Sequence, residues 1–169
     1  MNRYSITGPE SSGKTTLASQ LSFSSQLPLV EEYARTFLSL GNVIDSARDL
    51  ILLAQRQIEL ENQAMQMGTD IICDTDMIVL NIWSQDKFGF VPQALTALTN
   101  HHRYTHTFVC TPDIPWAPDP LRVNPFDRER LFQEYIKMLK LIGSPFTIIE
   151  GDGPARTAIG MQILAHIRD

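Results

Sequence analysis

Short apolar runs alternate along the chain with stretches whose apolar residues recur at helical spacing. The runs Arg3–Thr7, Leu29–Glu31, Asp70–Asp74, His106–Cys110 and Phe146–Glu150 have the composition and length of strands. Helix-length segments lie between them, and a parallel connection needs such a crossover, so the pattern predicts an α/β fold: a five-stranded parallel sheet flanked by helices. One helix starts at Asp45 or Ser46, carries Leu50, Leu53, Ala54, Ile58 and Met65 on neighbouring turns, and ends at Gly68. Another is capped by Asp127, carries Leu131, Tyr135, Met138, Leu139 and Ile142, and stops at Gly143. Between them Pro112, Pro115, Pro118, Pro120 and Pro125 rule out a regular helix, and the segment from about 111 to 130 reads as a lid or an ordered loop. With no repeats and no low-complexity tracts, residues 1–169 are expected to form one domain.

Composition narrows the partners. At 169 residues, 43% hydrophobic and 20% charged, the chain reads as an ordinary globular protein. A net charge of −5 gives no general basic field, which argues against nucleic-acid backbone binding and leaves room for a local pocket for a small anion. Cys73 and Cys110 lack CxxC or Cys/His zinc spacing and end strand-like runs, the pattern of reduced, buried thiols. No apolar run reaches the roughly 18 residues that span a bilayer, and the N-terminus lacks a signal-peptide pattern. The expectation is a cytoplasmic protein without a membrane partner.

The most specific chemistry lies at residues 8–16, GPESSGKTT, directly after the first predicted strand. Gly8, Gly13, Lys14 and Thr15 satisfy G-x-x-x-x-G-K-[ST] between a strand and a helix, the context in which that pattern is a P-loop. Its backbone amides, through Ser11, Ser12, Gly13 and Thr16, would face phosphate oxygens at a helix N-terminus. Lys14 would bridge the β- and γ-phosphates of ATP, and the Thr15 hydroxyl would ligate Mg²⁺. The loop after the fifth strand, around Gly151–Arg156 and including Asp152, is expected to help hold the nucleotide.

A GTPase would carry an NKxD motif, which is absent, and the DxxG at Asp86–Gly89 does not follow a strand. The third strand ends in Asp74–Thr75–Asp76, where an acid of the Mg²⁺ shell belongs; a helix cap is the plainer role for Asp74, and the two are compatible. Glu31 and Glu32 close the second strand beside Tyr33 and Arg35. A carboxylate there can take the proton of an acceptor hydroxyl, and because adjacent residues point oppositely only one of the pair enters the cleft. Arg122, Arg128 and Arg130 offer positive charge near a migrating phosphoryl group, with Arg130 assigned to the nucleotide; surface ion pairs of Arg128 and Arg130 with Asp127, Glu129 or Glu134 are the alternative. Trp116 sits among prolines rather than in a periodic apolar face, and could stack on a flat ring. Trp83 and Phe88 either line the acceptor pocket or pack beneath it. His101, His102 and His106 lack the accompanying ligands of a metal site and read as a polar helix–strand connection.

Taken together, GPESSGKTTL, EEYAR, AQRQIELE, CDTDMIVL and PWAPDPLR resemble the ribosylnicotinamide kinase domain of the bacterial NadR proteins, in the same order and over nearly the whole chain. The resemblance implies a nucleoside-kinase-like P-loop NTPase that uses ATP and Mg²⁺ to phosphorylate the ribose 5′-hydroxyl of nicotinamide riboside, a small-molecule nucleoside partner. It puts Glu32, Tyr33 and Arg35 along the riboside site, Asp74 and Asp76 near the metal and the acceptor hydroxyl, and Trp116, Asp119 and Arg122 in the lid. Two positions depart from that pattern: Pro120 stands where the family usually has glycine, and Glu31 where an aromatic is common. The DNA-binding and adenylyltransferase regions of full-length members are not in this sequence, so the expectation is a stand-alone kinase domain or an ATPase-like relative with another acceptor; a kinase of another nucleoside or small alcohol and an ATP-binding switch or interaction module are the alternatives.

Overall fold

In the computed structural model, which describes residues 1–118 and 126–168, five parallel strands run in the order β2-β3-β1-β4-β5. They are β1 (Arg3–Thr7), β2 (Leu29–Val30), β3 (Ile71–Asp74), β4 (His106–Cys110) and β5 (Phe146–Ile149). All five predicted strands form. The ends predicted at Glu31, Asp70 and Glu150 fall just outside the ladders. The helices are α1 (Lys14–Ser25), α2 (Tyr33–Ser39), α3 (Ala47–Met65), α4 (Met77–Phe88), α5 (Gln93–His101), α6 (Arg128–Ile142) and α7 (Gly153–Arg168).

Both faces of the sheet are covered, so the central strands are buried along nearly their whole length. Tyr4, Ile6, Ile72, Phe108 and Cys110 point to one face and pack with Leu17 and Leu21 of α1 and Leu164 of α7. On the other face Val109 meets a larger cluster built from α3, α4, α5 and α6, including Leu50, Ile78, Leu95 and Leu139. The small residues that alternate with these are not exposed either. Ser5 and Thr107, both fully buried, satisfy one another at 2.9 Å across the β1–β4 pair.

Helix starts follow the sequence signals with two exceptions. Ser46, not Asp45, opens α3, where its N–H and hydroxyl both donate to Asp49 at 2.8 and 2.9 Å. Asp127 does precede α6, but its carboxylate makes no cap bond there; it is held instead by Arg130 at 2.7 Å. α6 ends at Gly143 as its pattern predicts. The cap considered for Asp74 belongs to Asp76, whose Oδ1 accepts from Ile78 and Val79 N–H at 3.1 and 3.3 Å.

The sheet order positions the site. The chain builds β2 and β3 on one side of β1 and then crosses to build β4 and β5 on the other, so the connections diverge at the carboxyl end of β1. With β3 directly paired to β1, the loop leaving β1 and the acids leaving β3 are neighbours, and Thr75 N donates to Ile6 O at 2.9 Å.

His106, at the start of β4, is half-buried against Phe108 and shares a 3.0 Å hydrogen bond with Thr147. Burial holds its imidazole below the usual histidine range. The unfolded chain therefore binds this proton more readily, and the contribution is a loss of stability as pH falls through the ordinary value of about 6.5. Urea midpoints at pH 7.5 and 5.5 should fall further for the wild type than for His106→Asn; equal falls would show that His106 carries none of the acid limb.

Candidate active site

The loop between β1 and α1 is shaped by backbone conformations that few side chains tolerate. Gly8 has φ +137, and a Cβ there would lie 2.5 Å from the Cys110 carbonyl oxygen, so only glycine lets the loop pass this close to β4. Ser11, at φ 53, takes the left-handed region without being glycine. Gly13 caps α1 from the same region. The turn brings the first amides of α1 around a concavity beside Lys14, whose Nζ donates to Pro9 O at 2.9 Å. Thr15 and Thr16 begin the helix exposed, whereas Ser11 and Ser12 are buried in the loop, Ser12 Oγ with no hydrogen-bond partner.

Three carboxylates stand beside this loop with different surroundings. Asp74, 2% exposed at the end of β3, is hydrogen-bonded to Thr15, yet its Oδ1 is buried and unpartnered. Burial raises its carboxyl, against the opposing pull of Thr15 and Lys14. Thr75 follows at φ 85, a left-handed conformation that costs a β-branched residue about 1–3 kcal/mol. That turn sends Asp74 and Asp76 in different directions. Asp76, 1% exposed, accepts from Thr7 Oγ1 at 3.1 Å as well as from its own helix, and burial pushes it up to about 6. Its Oδ1 thus caps α4, while its Oδ2 is buried without a hydrogen-bond partner.

Glu32 is buried at the N-terminus of α2, with Arg35 Nε at 3.3 Å. Burial raises its carboxyl most; Lys14 and Arg35 draw it down and Asp74 adds to the rise. Of the glutamate pair Glu32 enters the cleft and Glu31 stays exposed. Tyr33 turns the other way. Its N–H is bound by Gln57 at 2.9 Å, its ring packs on the core with Phe37 and under Arg56 at 6.0 Å, and it is not among the residues that line the cleft.

An open cleft extends from the loop, lined by Gly8, Pro9, Glu10, Ser11 and Lys14 at one end. Glu32, Arg35 and Leu38, then Val79, Ile82, Trp83 and Asp86 of α4, and Leu131 and Tyr135 of α6 complete the lining. Trp83 both lines this cleft and packs on the core, while Phe88 packs on the core outside the lining. At the mouth Arg130 bridges Asp86 at 2.6 Å and Asp127, so it takes the surface-pair role rather than a place against the nucleotide loop. Arg128 does approach that loop, donating to Ser11 O at 3.2 Å and Ile114 O at 3.0 Å. Ala117 N also donates to Ser11 Oγ, at 2.9 Å, which lays the segment after β4 along the loop. Trp116 is half-buried there with its indole N–H enclosed and unpartnered, outside the cleft lining. Asp119, Pro120 and Arg122 lie outside the described residues.

Arg156 is the residue whose importance the sequence reading missed. It is 4% exposed and donates to Ser12 O in the loop, Thr111 O at 2.9 Å after β4, Gly151 O at 2.6 Å after β5, and the Asp113 carboxylate. Asp152 is exposed; its carbonyl accepts from Ala155 and Arg156 N–H at the start of α7, and its side chain lines no part of the cleft. A lone arginine after a GDG turn carries no motif; its only sequence signal is that it opens a helix on the nucleotide side of the sheet.

A strand, a loop of this conformation and a helix at the divergence point of a parallel sheet define a P-loop domain with a nucleoside- or nucleotide-kinase-like fold. A family model described as an AAA domain (AAA_28) matches residues 3–156, and the chain belongs to that family. Among solved structures it is similar to a NadR protein in complex with NR, at 21% identity and a TM-score of 0.79 over 98% of this chain and 51% of that one. A NadR protein in complex with NAD and AMP-PNP gives 20%, 0.74, 98% and 49%, and thymidylate kinase from Ehrlichia chaffeensis 15%, 0.65, 98% and 98%. The chain thus spans about half the length of the NadR chains it matches. No curated protein matches it. Among the described residues no helix is long and apolar enough to cross a membrane, and no group of three or more His, Cys, Asp or Glu is arranged to hold a metal.

Removing the Arg156 guanidinium should leave several carbonyls and the Asp113 carboxylate without a donor. Arg156→Met is expected to destabilise the fold by about 3 kcal/mol in urea titration. A loss below about 0.5 kcal/mol would mean that the guanidinium is only a surface contact.

Proposed function

We propose that the chain is a kinase that transfers the γ-phosphoryl group of ATP to the ribose 5′-hydroxyl of nicotinamide riboside, giving nicotinamide mononucleotide. The observation that carries this reading is the single cleft that joins the P-loop lysine, a buried carboxylate and an aromatic-walled recess. A nucleotide-binding module has no need of the last two.

In this reading Lys14 and the first amides of α1 hold the β- and γ-phosphates, and Arg128, already on the loop, adds charge beside them. Glu32 takes the proton of the 5′-hydroxyl as that oxygen bonds to phosphorus and ADP departs, then returns the proton to water. Its burial makes it a better proton acceptor than an exposed carboxylate. Mg²⁺ fits the unpartnered Asp74 Oδ1 and the Thr15 hydroxyl, two hard oxygen donors, and when bound would neutralise charge on the phosphates. A flat ring beyond the ribose would meet Trp83, and a cationic ring would gain further from the Asp86 carboxylate.

The test is the initial rate with ATP and Mg²⁺ against nicotinamide riboside, uridine and deoxyadenosine at equal concentrations. Preference for the cationic riboside is expected. A faster neutral nucleoside would move the chain to another nucleoside kinase, and ATP binding without transfer to any acceptor would make it a switch or interaction module. Lys14→Ala should lower kcat by about 10²-fold or more with an unchanged melting temperature. Trp83→Ala should raise KM for the riboside several-fold while leaving the affinity for a non-hydrolysable ATP analogue alone; an equal loss for both ligands would show that Trp83 only supports the fold.

A further inference from the structure

Glu61 of α3 is fully buried and takes no part in the cleft. Donors from four segments converge on it. His102 Nε2 is at 2.7 Å, Tyr104 Oη at 3.1 Å, Gln57 Nε2 at 3.3 Å and Arg3 Nε at 3.7 Å, and the Cys73 thiol is also hydrogen-bonded to it. These come from the α5–β4 connection, α3 itself, β1 and β3. A carboxylate so surrounded accepts on both oxygens, which settles the orientation of the Gln57 amide: its NH₂ faces Glu61, and its carbonyl must face away. That carbonyl, 4% exposed with the rest of the residue, accepts the Tyr33 N–H at 2.9 Å. Tyr33 is the first residue of α2, and the residue before it, the helix N-cap, is Glu32.

We infer that Gln57, with its amide direction set by Glu61, is a positioning residue for Glu32. This rests on the proposed role of Glu32 as proton acceptor. α2 is a seven-residue helix whose N-cap makes no side-chain cap bond, so little within the helix holds its first turn. The Gln57 carbonyl supplies that restraint from α3, a helix of nineteen residues packed on the core. Reversing the amide would set an NH₂ group against the Tyr33 N–H and release the turn that carries Glu32. A misplacement of about 1 Å at a proton acceptor is enough to cost one to two orders of magnitude in rate.

The experiment is a double-mutant cycle on phosphoryl transfer to nicotinamide riboside, with melting temperature and binding of a non-hydrolysable ATP analogue measured for every variant. Gln57→Met removes both bonds at similar volume. It should lower kcat about tenfold or more in the wild-type background, with KM for ATP unchanged, and cause no further loss in the Glu32→Gln background. Equal losses in both backgrounds would make Gln57 a structural residue only, and an unchanged kcat in the wild-type background would likewise overturn the inference. If Gln57→Met does not fold, Glu61→Gln carries the same comparison, because an amide at 61 lets Gln57 turn over while the shape is kept. Should Glu32→Gln itself retain full kcat, the reading of Glu32 fails, and the inference with it. A loss with Glu32→Gln beside an unaffected Gln57→Met overturns the positioning role alone.

Discussion

The guanidinium of Arg156 is the point on which the nucleotide side of this fold depends. Loops that follow β1, β4 and β5 meet at the carboxyl end of the sheet with carbonyl groups that no ladder or helix satisfies, and a single buried side chain with five N–H groups supplies the donors. The Asp113 carboxylate balances the charge that this would otherwise bury alone. Because one of those carbonyls belongs to Ser12, the conformation of the P-loop is tied to the start of α7. Arg128 ties the same loop from the other side, through Ser11. The loop is thus preorganised by cations that bind its carbonyls, leaving the amides turned inward.

The acids around the loop show how local turns set the surroundings of otherwise similar carboxylates. Asp74, Asp76 and Glu32 are all buried and all raised by burial. Asp76 has its Oδ1 occupied by two helix amides and a hydroxyl and its Oδ2 buried without a partner, Asp74 keeps an unpartnered Oδ1 beside Thr15, and Glu32 faces the cleft next to a lysine and an arginine. Burial alone does not distinguish them. The direction in which each is held does, and that direction comes from the Thr75 turn and the start of α2.

Much of this was legible in the sequence, for identifiable reasons. Short apolar runs marked all five strands, and the glycine–lysine loop carried its own mechanism between β1 and α1. What could not be read were contacts between residues far apart in the chain. Arg156 meets Ser12 and Thr111, and Gln57 meets Tyr33, through the fold and not through spacing. The assignment of the cap to Asp74 rather than Asp76 failed because both acids flank the same strand end, and only the left-handed Thr75 decides which one meets the helix amides. Arg130 was read for its charge near a phosphate, yet a carboxylate from α4, Asp86, holds it instead. His102 looked like part of a polar connection, and its partner Glu61 stood 41 positions away.

Thr75 also sets a limit on how this chain could be improved. A glycine at that position would relieve a conformation costing about 1–3 kcal/mol, offset by the greater freedom it would give the unfolded chain, roughly 1 kcal/mol. Stability and rigidity therefore pull on the residue in opposite directions. The β-branched side chain narrows the range of angles open to the turn, and with it the range over which the Asp74 carboxylate can wander. Thermostabilising substitution in this protein has ample room on the exposed faces of α3 and α6, but at residue 75 a gain in melting temperature would be taken from the order of the Asp74 carboxylate.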